Sequence, residues 1–224
     1  AFEEVFWRVF LDRKYILKNN ISTHHIDRYE IDEYQKYVNI ITNWKNKNLY
    51  IAKNNNNILR LNSFKKLKHT FFIVTFRDPL FQAYSLYKTH NILCENQKKN
   101  NFVLNYMNYL VHHEFGLNLK TLKFKFFFNT KYKNTNINFW LSYWIYVYEN
   151  ILKTNKRSKN IQFLAYEKFN TKLNPILKKF NLNLSLSQTN KFQNKNNLKK
   201  INNLKFDKKL KIKSRKIYSE LEKI

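Results

Sequence analysis

Arg77 stands where a strand-like run of residues ends and a helix-like run begins. Residues 71–76, Phe-Phe-Ile-Val-Thr-Phe, are large, apolar or β-branched, which is typical of a strand buried in a parallel sheet. Asp78 and Pro79 suit the N-cap and the first turn of a helix that continues over Leu80–Leu93. We therefore expect Arg77 at the carboxyl end of a strand, where open α/β sheets bind ligands.

Ser85 lies two turns into that predicted helix and adds a hydroxyl to the same region. A guanidinium fork and a hydroxyl are well suited to binding a phosphate group. The two residues therefore predict an anion site at the strand–helix turn. The simpler interpretation of Arg77 and Asp78 is an ion pair that only orders the turn.

This segment resembles the 3'-phosphate-binding motif of sulfotransferases that use 3'-phosphoadenosine 5'-phosphosulfate (PAPS). The resemblance rests on Arg77-Asp78-Pro79 with Ser85 eight residues after the arginine, extended by Ala83, Leu86 and His90 toward a bacterial branch of that family. It implies the α/β fold of the P-loop-containing nucleotide hydrolase-like superfamily: three layers, with a short, mostly parallel sheet flanked by helices. It further implies PAPS or adenosine 3',5'-bisphosphate as co-substrate, Arg77 and Ser85 as its ligands, and no metal.

Lys53 is the second position that the resemblance singles out. Leu49–Ala52 is a short apolar run that predicts a strand, and Lys53-Asn54-Asn55 follows it. The family has a lysine at this place, so the resemblance implies that Lys53 contacts a sulfuryl or phosphate oxygen, as a ligand or as a catalytic group. The alternative is one more surface lysine in a lysine-rich chain.

Tyr166 lies near the end of a third predicted strand, residues 161–167. Tyr166-Glu167-Lys168-Phe169 resembles the family's Tyr-Glu-Asp-Leu motif, which implies that Tyr166 lies near the adenine end of the nucleotide. The family's aspartate is replaced by Lys168 in this chain.

His112, His113 and Glu114 precede the only glycine, Gly116, in a segment that also resembles one in the family. Each is a candidate for the general base that takes the proton of the acceptor. The alternative is the polar end of a helix over residues 102–115, with Gly116 in a left-handed conformation. The His-Glu-x-x-His signature of zinc proteases is absent.

Apolar periodicity predicts further elements. Helices are expected over residues 1–18, 31–44 and 138–153, and another is expected to begin at Asn174-Pro175. Residues 121–134, where lysine alternates with phenylalanine, suit a lid, an edge strand or an insertion.

The net charge of +27 has two interpretations. Lysine and asparagine are abundant and glycine and proline are rare, as a bias toward A- and T-rich codons would produce on a solvated surface. Alternatively, the positive field attracts a polyanion, and lysine mixed with aromatic residues suits nucleic acid. A basic RNA- or polyanion-binding protein without catalytic activity is therefore the alternative function.

Cys94 is the only cysteine, which excludes an intrachain disulfide. No apolar run is long enough for a membrane span, and no signal peptide is visible. These features favour the cytoplasm.

The family begins with a strand and a glycine-rich loop that holds the 5'-phosphosulfate, whereas no glycine precedes Gly116 here. We expect a sulfotransferase-like domain over residues 1–184 that lacks its N-terminal part, followed by a polar, basic helical extension over residues 185–224. The expected activity is sulfuryl transfer from PAPS to a hydroxyl or amine acceptor, in a truncated or inactive form.

Overall fold

Parallel strand pairs flanked by helices organise this mixed α/β protein. The computed structural model describes residues 3–64, 67, 69–155, 160–182 and 199–224. The chain divides into a first unit, Ala1–Lys68 with His90–Phe128, and a second unit, His69–Thr89 with Asn129–Ile224. The expected domain boundary between residues 184 and 185 lies outside the described residues.

The first unit contains a parallel pair of short strands that the sequence did not predict as a pair. These are β1 (Asn20–Ser22) and β3 (Thr121–Lys123), with Ile21 opposite Leu122. The helices of the first unit are α1 (Glu3–Phe10), α2 (Arg28–Trp44), a 3₁₀ helix (Asn55–Leu59), α3 (Leu61–Phe64), the second half of α4 (Pro79–Lys99) and α5 (Asn101–Tyr109).

The second unit is built on β2 (Phe72–Phe76) and β4 (Ile161–Ala165), which pair in parallel with Phe72 opposite Ile161 and Phe76 opposite Ala165. Its helices are the first half of α4, α6 (Ile137–Asn155), a 3₁₀ helix (Tyr166–Lys168), α7 (Phe169–Lys179), α8 (Lys199–Asn202) and α9 (Lys208–Glu222). The α/β class and the short parallel sheets flanked by helices are thus as expected. In the described part of the chain, however, the strands form two separate pairs rather than one sheet.

The strand–turn–helix around Arg77 is confirmed. Strand β2 ends at Phe76 and α4 begins at Pro79. Asp78 is the predicted N-cap, because its Oδ1 accepts the backbone N–H groups of Leu80 at 2.9 Å and Phe81 at 3.2 Å.

Two predicted helices are shorter than their apolar patterns suggested. Helix α1 ends at Phe10, because Asp12 and Arg13 take φ angles of +47° and +56°, which no right-handed helix accommodates. Helix α5 ends at Tyr109, and Val111 has a φ of +58°. Backbone geometry outweighed side-chain periodicity at both ends.

Two other expectations were wrong. Leu49–Ala52 forms no strand, so Lys53 does not follow one. Helix α7 begins at Phe169, and Pro175 lies inside it rather than at its start. The reason lies in packing: Phe169, Leu173, Ile176 and Phe180 form one apolar stripe against Leu164, and burying that stripe outweighs the hydrogen bond that the proline cannot make.

Gly116 has the left-handed conformation that the sequence suggested, with a φ of +85°, although α5 ends well before it. Its N–H donates to His90 Nδ1 at 3.1 Å, and the N–H of Leu117 donates to Gln97 Oε1 at 2.6 Å. A Cβ at position 116 would collide with the side-chain amide of Gln97. The site therefore requires glycine for space as well as for conformation.

Helix α9 packs in the second unit against α6 and β4. Asp207 caps it by accepting the N–H of Lys209 at 2.8 Å, and Asn138 of α6 accepts the N–H of Asp207 at 2.8 Å. Ile217 and Leu221 are buried on the inner face of α9. No helix in the described part of the chain combines the length and apolarity needed to cross a bilayer.

Replacing Leu221 by alanine should lower the free energy of unfolding by about 2–5 kcal/mol, because the side chain is 1% exposed and its removal leaves a cavity. Urea titration followed by tryptophan fluorescence measures this loss. The matched control is Ile212→Ala on the same helix, where the side chain is 64% exposed and the loss should stay within about 0.5 kcal/mol. Equal losses in the two variants would contradict the packing of α9.

Candidate anion site

Arg77 and Tyr166 meet at the carboxyl end of the strand pair of the second unit. Because Phe76 lies opposite Ala165, the next residue of each strand emerges at the same edge. The guanidinium carbon of Arg77 lies 4.6 Å from the centre of the Tyr166 ring and 5.8 Å from that of Phe81. These are cation–π distances. Two of the predicted nucleotide ligands are therefore neighbours.

Hydrogen bonds hold the backbone of the turn that carries Arg77. The N–H of Arg77 donates to Gln82 Oε1 at 3.2 Å, and the indole N–H of Trp144 donates to the same oxygen at 3.1 Å. The hydroxyl of Tyr148 donates to the carbonyl of Thr75 at 3.0 Å. Burial raises the pKa of Tyr148 to about 12, so the phenol remains a neutral donor.

Ser85 is exposed on α4, four residues after Phe81. Residues at this spacing lie on the same side of a helix, about 6 Å apart along its axis. The predicted convergence of the Arg77 guanidinium and the Ser85 hydroxyl on one anion stays a prediction.

The edge also carries the carboxylates of Asp78 and Glu167, and an arginine that the sequence did not single out. Glu167 accepts the N–H of Asp78 at 3.0 Å and the hydroxyl of Tyr218 at 3.1 Å. Burial and the charge of Glu167 raise the pKa of Tyr218. Arg215 of α9 forms an ion pair with Asp78. A second guanidinium thus lies beside the turn, brought by a helix far along the chain.

Arg215 could not be singled out from the sequence, since it is one basic residue among many in α9. Only the packing of α9 brings it to the strand ends. A further ion pair joins Lys168 to Glu222 at 2.7 Å. Lys168, where the resembling family has aspartate, therefore helps to hold α9 at this edge.

The remaining candidates lie in the first unit. Lys53 is exposed, and the amide of its neighbour Asn54 donates to Glu4 Oε2 at 2.7 Å. His112 Nδ1 lies 3.3 Å from Glu114, which also accepts the amide of Asn55 at 3.1 Å. The structure thus brings Asn55 of the lysine segment to Glu114, within one unit.

The protonation preferences of Glu114 and His113 differ. Burial would raise the pKa of Glu114, but the hydrogen bonds from His112 and Asn55 outweigh it, so the pKa is lowered and the carboxylate is a weaker base. Burial and the charge of Lys120 lower the pKa of His113, which is 7% exposed. His113 is therefore a neutral imidazole with little access to solvent.

A buried ion pair anchors the segment around Lys53. Arg60 is fully buried and donates to both carboxylate oxygens of Glu4, at 2.7 and 2.8 Å. Tyr15 donates to the same carboxylate at 2.6 Å. Burial would raise the pKa of Glu4, but the arginine and these hydrogen bonds lower it. Glu4 and Arg60 are charged structural groups, and the sequence did not predict their pairing.

His24 completes this network as a neutral ring. Its Nε2 accepts from Arg60 Nε at 3.1 Å, which leaves Nδ1 to donate to the carbonyl of Ser22 at 3.0 Å. Burial and the charge of Arg60 lower the pKa of His24 to about 4. Protonation would break the contact with Arg60.

Lowering the pH from about 6.5 to 4 should therefore reduce the stability of the first unit. Over this range the unfolded chain protonates His24 and the folded chain does not, which favours unfolding as the pH falls. Glu4 adds a loss below about pH 4.5, where unfolded carboxylates take up protons. Denaturant titrations at several pH values measure both effects.

The variant His24→Gln can accept from Arg60 and donate to Ser22, but it does not titrate. It should reduce the dependence between pH 6.5 and 4, to which His90 and His113 also contribute because burial lowers their pKa values, while the loss at lower pH remains. His25→Gln, at an exposed neighbouring position, is the matched control and should leave the profile unchanged. An unchanged profile in His24→Gln would contradict this assignment.

Across the described ranges, no group of three or more histidine, cysteine, aspartate or glutamate side chains is arranged to hold a metal ion. No protein-family model matches the chain, and no curated protein or solved structure is significantly similar to it.

Proposed function

We propose that this protein binds the adenosine 3',5'-bisphosphate part of PAPS at the carboxyl end of β2 and β4 and serves a sulfotransferase reaction. The observation that carries the proposal is the contact between Arg77 and Tyr166 at the ends of two paired parallel strands. Carboxyl ends of parallel strands are where open α/β sheets bind ligands. A phosphate-binding cation beside an aromatic ring suits a nucleotide.

Each residue has a role in this proposal. The guanidinium of Arg77 binds the 3'-phosphate, and the exposed hydroxyl of Ser85 donates to the same group. The ring of Tyr166 packs against the adenine. Fixing the turn through Gln82 and Trp144 keeps Arg77 in place before the ligand arrives, which lowers the entropy cost of binding.

The proposed reaction transfers the sulfuryl group in line from PAPS to an acceptor hydroxyl or amine. The bond between sulfur and the phosphate oxygen breaks as the bond between sulfur and the acceptor forms, and adenosine 3',5'-bisphosphate leaves. A base takes the acceptor proton, and cations offset the charge of the leaving phosphate. Lys53, His112, His113 and Glu114 lie in the first unit, and their roles stay predictions.

Calorimetric titration with adenosine 3',5'-bisphosphate tests the nucleotide site. The variant Arg77→Ala should bind about 10- to 100-fold more weakly, because a hydrogen bond to a charged group contributes about 1.5–3 kcal/mol. Ser85→Ala should cost less, because it removes one neutral donor.

Arg28→Ala is the matched control, since it removes one exposed arginine at the start of α2 in the first unit. It should leave nucleotide affinity within about twofold at 0.15 M salt, where exposed charges that do not contact the ligand are screened. Failure of the unmodified protein to bind the nucleotide, or equal weakening by the two arginine variants, would refute the proposal.

A second candidate function is binding of single-stranded RNA by the first unit. Phe126 and Phe127 are 69% and 60% exposed. Lys125 Nζ lies 5.4 Å from the centre of the Phe126 ring, and Lys123 Nζ lies 4.1 Å from that of Phe127. Exposed rings between lysines are the groups that stack on bases while neutralising phosphates.

For this candidate, the double variant Phe126→Ala, Phe127→Ala should weaken binding of oligouridylate by about 1–3 kcal/mol per stacked base, with the salt dependence preserved because no charge is removed. Fluorescence anisotropy at two salt concentrations measures both quantities. Phe102→Ala, at a ring that is also 69% exposed, is the control and should have no effect. Equal affinity of all three proteins would exclude stacking by Phe126 and Phe127.

A further inference from the structure

A groove with a volume of about 560 Å³ runs between α6 and α9 in the second unit; we call it the α6–α9 groove. Its walls are mostly apolar, with Leu152 of α6 and Ile217 of α9 at the base. The volume lies within the range of about 300–1,000 Å³ that is usual for small-molecule sites. The groove is therefore large enough for an organic ligand.

Lysines of α9 line one side of the groove. Lys209, Lys213 and Lys216 follow one another at spacings of four and three residues, which places them on one face of the helix. Lys153 adds a fourth ammonium group from α6. The glutamates that line the groove are Glu149 and Glu220, so positive charge exceeds negative charge there.

The ion pairs of the groove leave part of this charge uncompensated. Lys213 pairs with Glu149 at 3.1 Å and thereby joins the two helices, and Lys153 lies 4.0 Å from the same carboxylate. Lys209 and Lys216 form no ion pair with any residue that the structure describes. These two ammonium groups are available to an anion.

Ile212 lies between those lysines in sequence and is 64% exposed beside the groove. An isolated exposed isoleucine is common on protein surfaces. Here, however, it extends the apolar wall formed by Leu152 and Ile217 toward the ammonium groups. The groove therefore combines an aliphatic surface with a cationic rim.

We propose that the α6–α9 groove binds a free single-chain amphiphile with an anionic head, such as a medium-chain fatty acid. The aliphatic chain removes the walls of the groove from water, which stabilises the complex by about 25 cal/mol per Å² of apolar surface buried. The carboxylate lies at Lys209 and Lys216. Among the described residues, no aromatic side chain lines the groove to offer a nucleobase a stacking surface.

This site is separate from the anion site at the strand ends. Different side chains of α9 serve the two places: Arg215 and Tyr218 contact Asp78 and Glu167, whereas Lys213 contacts Glu149. None of the groups that line the groove belongs to the proposed nucleotide site. Loss of one function would therefore leave the other intact.

Isothermal calorimetry with dodecanoate below its micelle concentration tests the proposal. The expected result is saturable binding of one dodecanoate per chain. The double variant Lys209→Ala, Lys216→Ala should weaken this binding at least tenfold. Ile212→Ser should also weaken it, by a smaller factor, because it removes apolar surface without changing the charge.

The matched control is Lys208→Ala, Lys211→Ala, which removes two exposed lysines of the same helix that do not line the groove. It should bind dodecanoate within about twofold of the unmodified protein, since exposed charges outside the contact are screened. Arg77→Ala should also bind normally, which separates this test from that of the nucleotide site.

Three results would overturn the proposal. The first is the absence of saturable binding by the unmodified protein. The second is equal weakening by the two double lysine variants, or equal affinity for acetate and dodecanoate, since either would show attraction to the basic surface alone. The third is binding to vesicles of anionic phospholipid without binding of monomeric dodecanoate, which would indicate a membrane surface as the partner.

Discussion

The parallel register of β2 and β4 is the constraint on which the second unit depends. Because Phe76 lies opposite Ala165, the chain must release Arg77 and Tyr166 at the same edge. A shift of one residue would turn the side chains of one strand to the other face and separate the two groups. The N-cap of α4 lies next to the end of β2. Helices α7 and α9 both pack against β4. The candidate site is thus a property of strand pairing rather than of a loop.

The distribution of acidic residues explains why so basic a chain can fold. The sequence has 15 acidic residues against 42 lysines and arginines. Several of the acidic side chains stabilise the fold through ion pairs, helix caps or hydrogen bonds to the backbone. Glu4 pairs with buried Arg60, Asp27, Asp78 and Asp207 cap helices, and Glu167 accepts a backbone N–H. Most lysines in the described part of the chain are exposed and form no ion pair with an acidic side chain. Lys209, Lys213 and Lys216 lie on one face of α9 and create a local excess of positive charge.

Patterns within a short stretch of sequence predicted the strands and helices that neighbouring residues determine. The apolar run before Arg77 and the Asp-Pro pair after it were sufficient to predict a strand, an N-cap and a helix, and the aromatic stripe of α6 was sufficient for that helix. The strand at Leu49–Ala52 was wrong because an apolar run does not supply a pairing partner. The buried Arg60 and the contribution of Arg215 could not be predicted, because a charged residue buried or recruited by tertiary contacts looks the same in sequence as one on the surface. The roles of Lys53, His112, His113 and Glu114 stay predictions.

Gly116 is required for space more than for backbone conformation. Six residues other than glycine take left-handed φ angles in the described chain, among them Val111, a β-branched residue for which this conformation is strained. Left-handed geometry alone therefore does not require glycine in this protein. At position 116 the side-chain amide of Gln97 occupies the space that a methyl group would need. The single glycine of the sequence thus marks a point where the backbone approaches Gln97 too closely for any side chain.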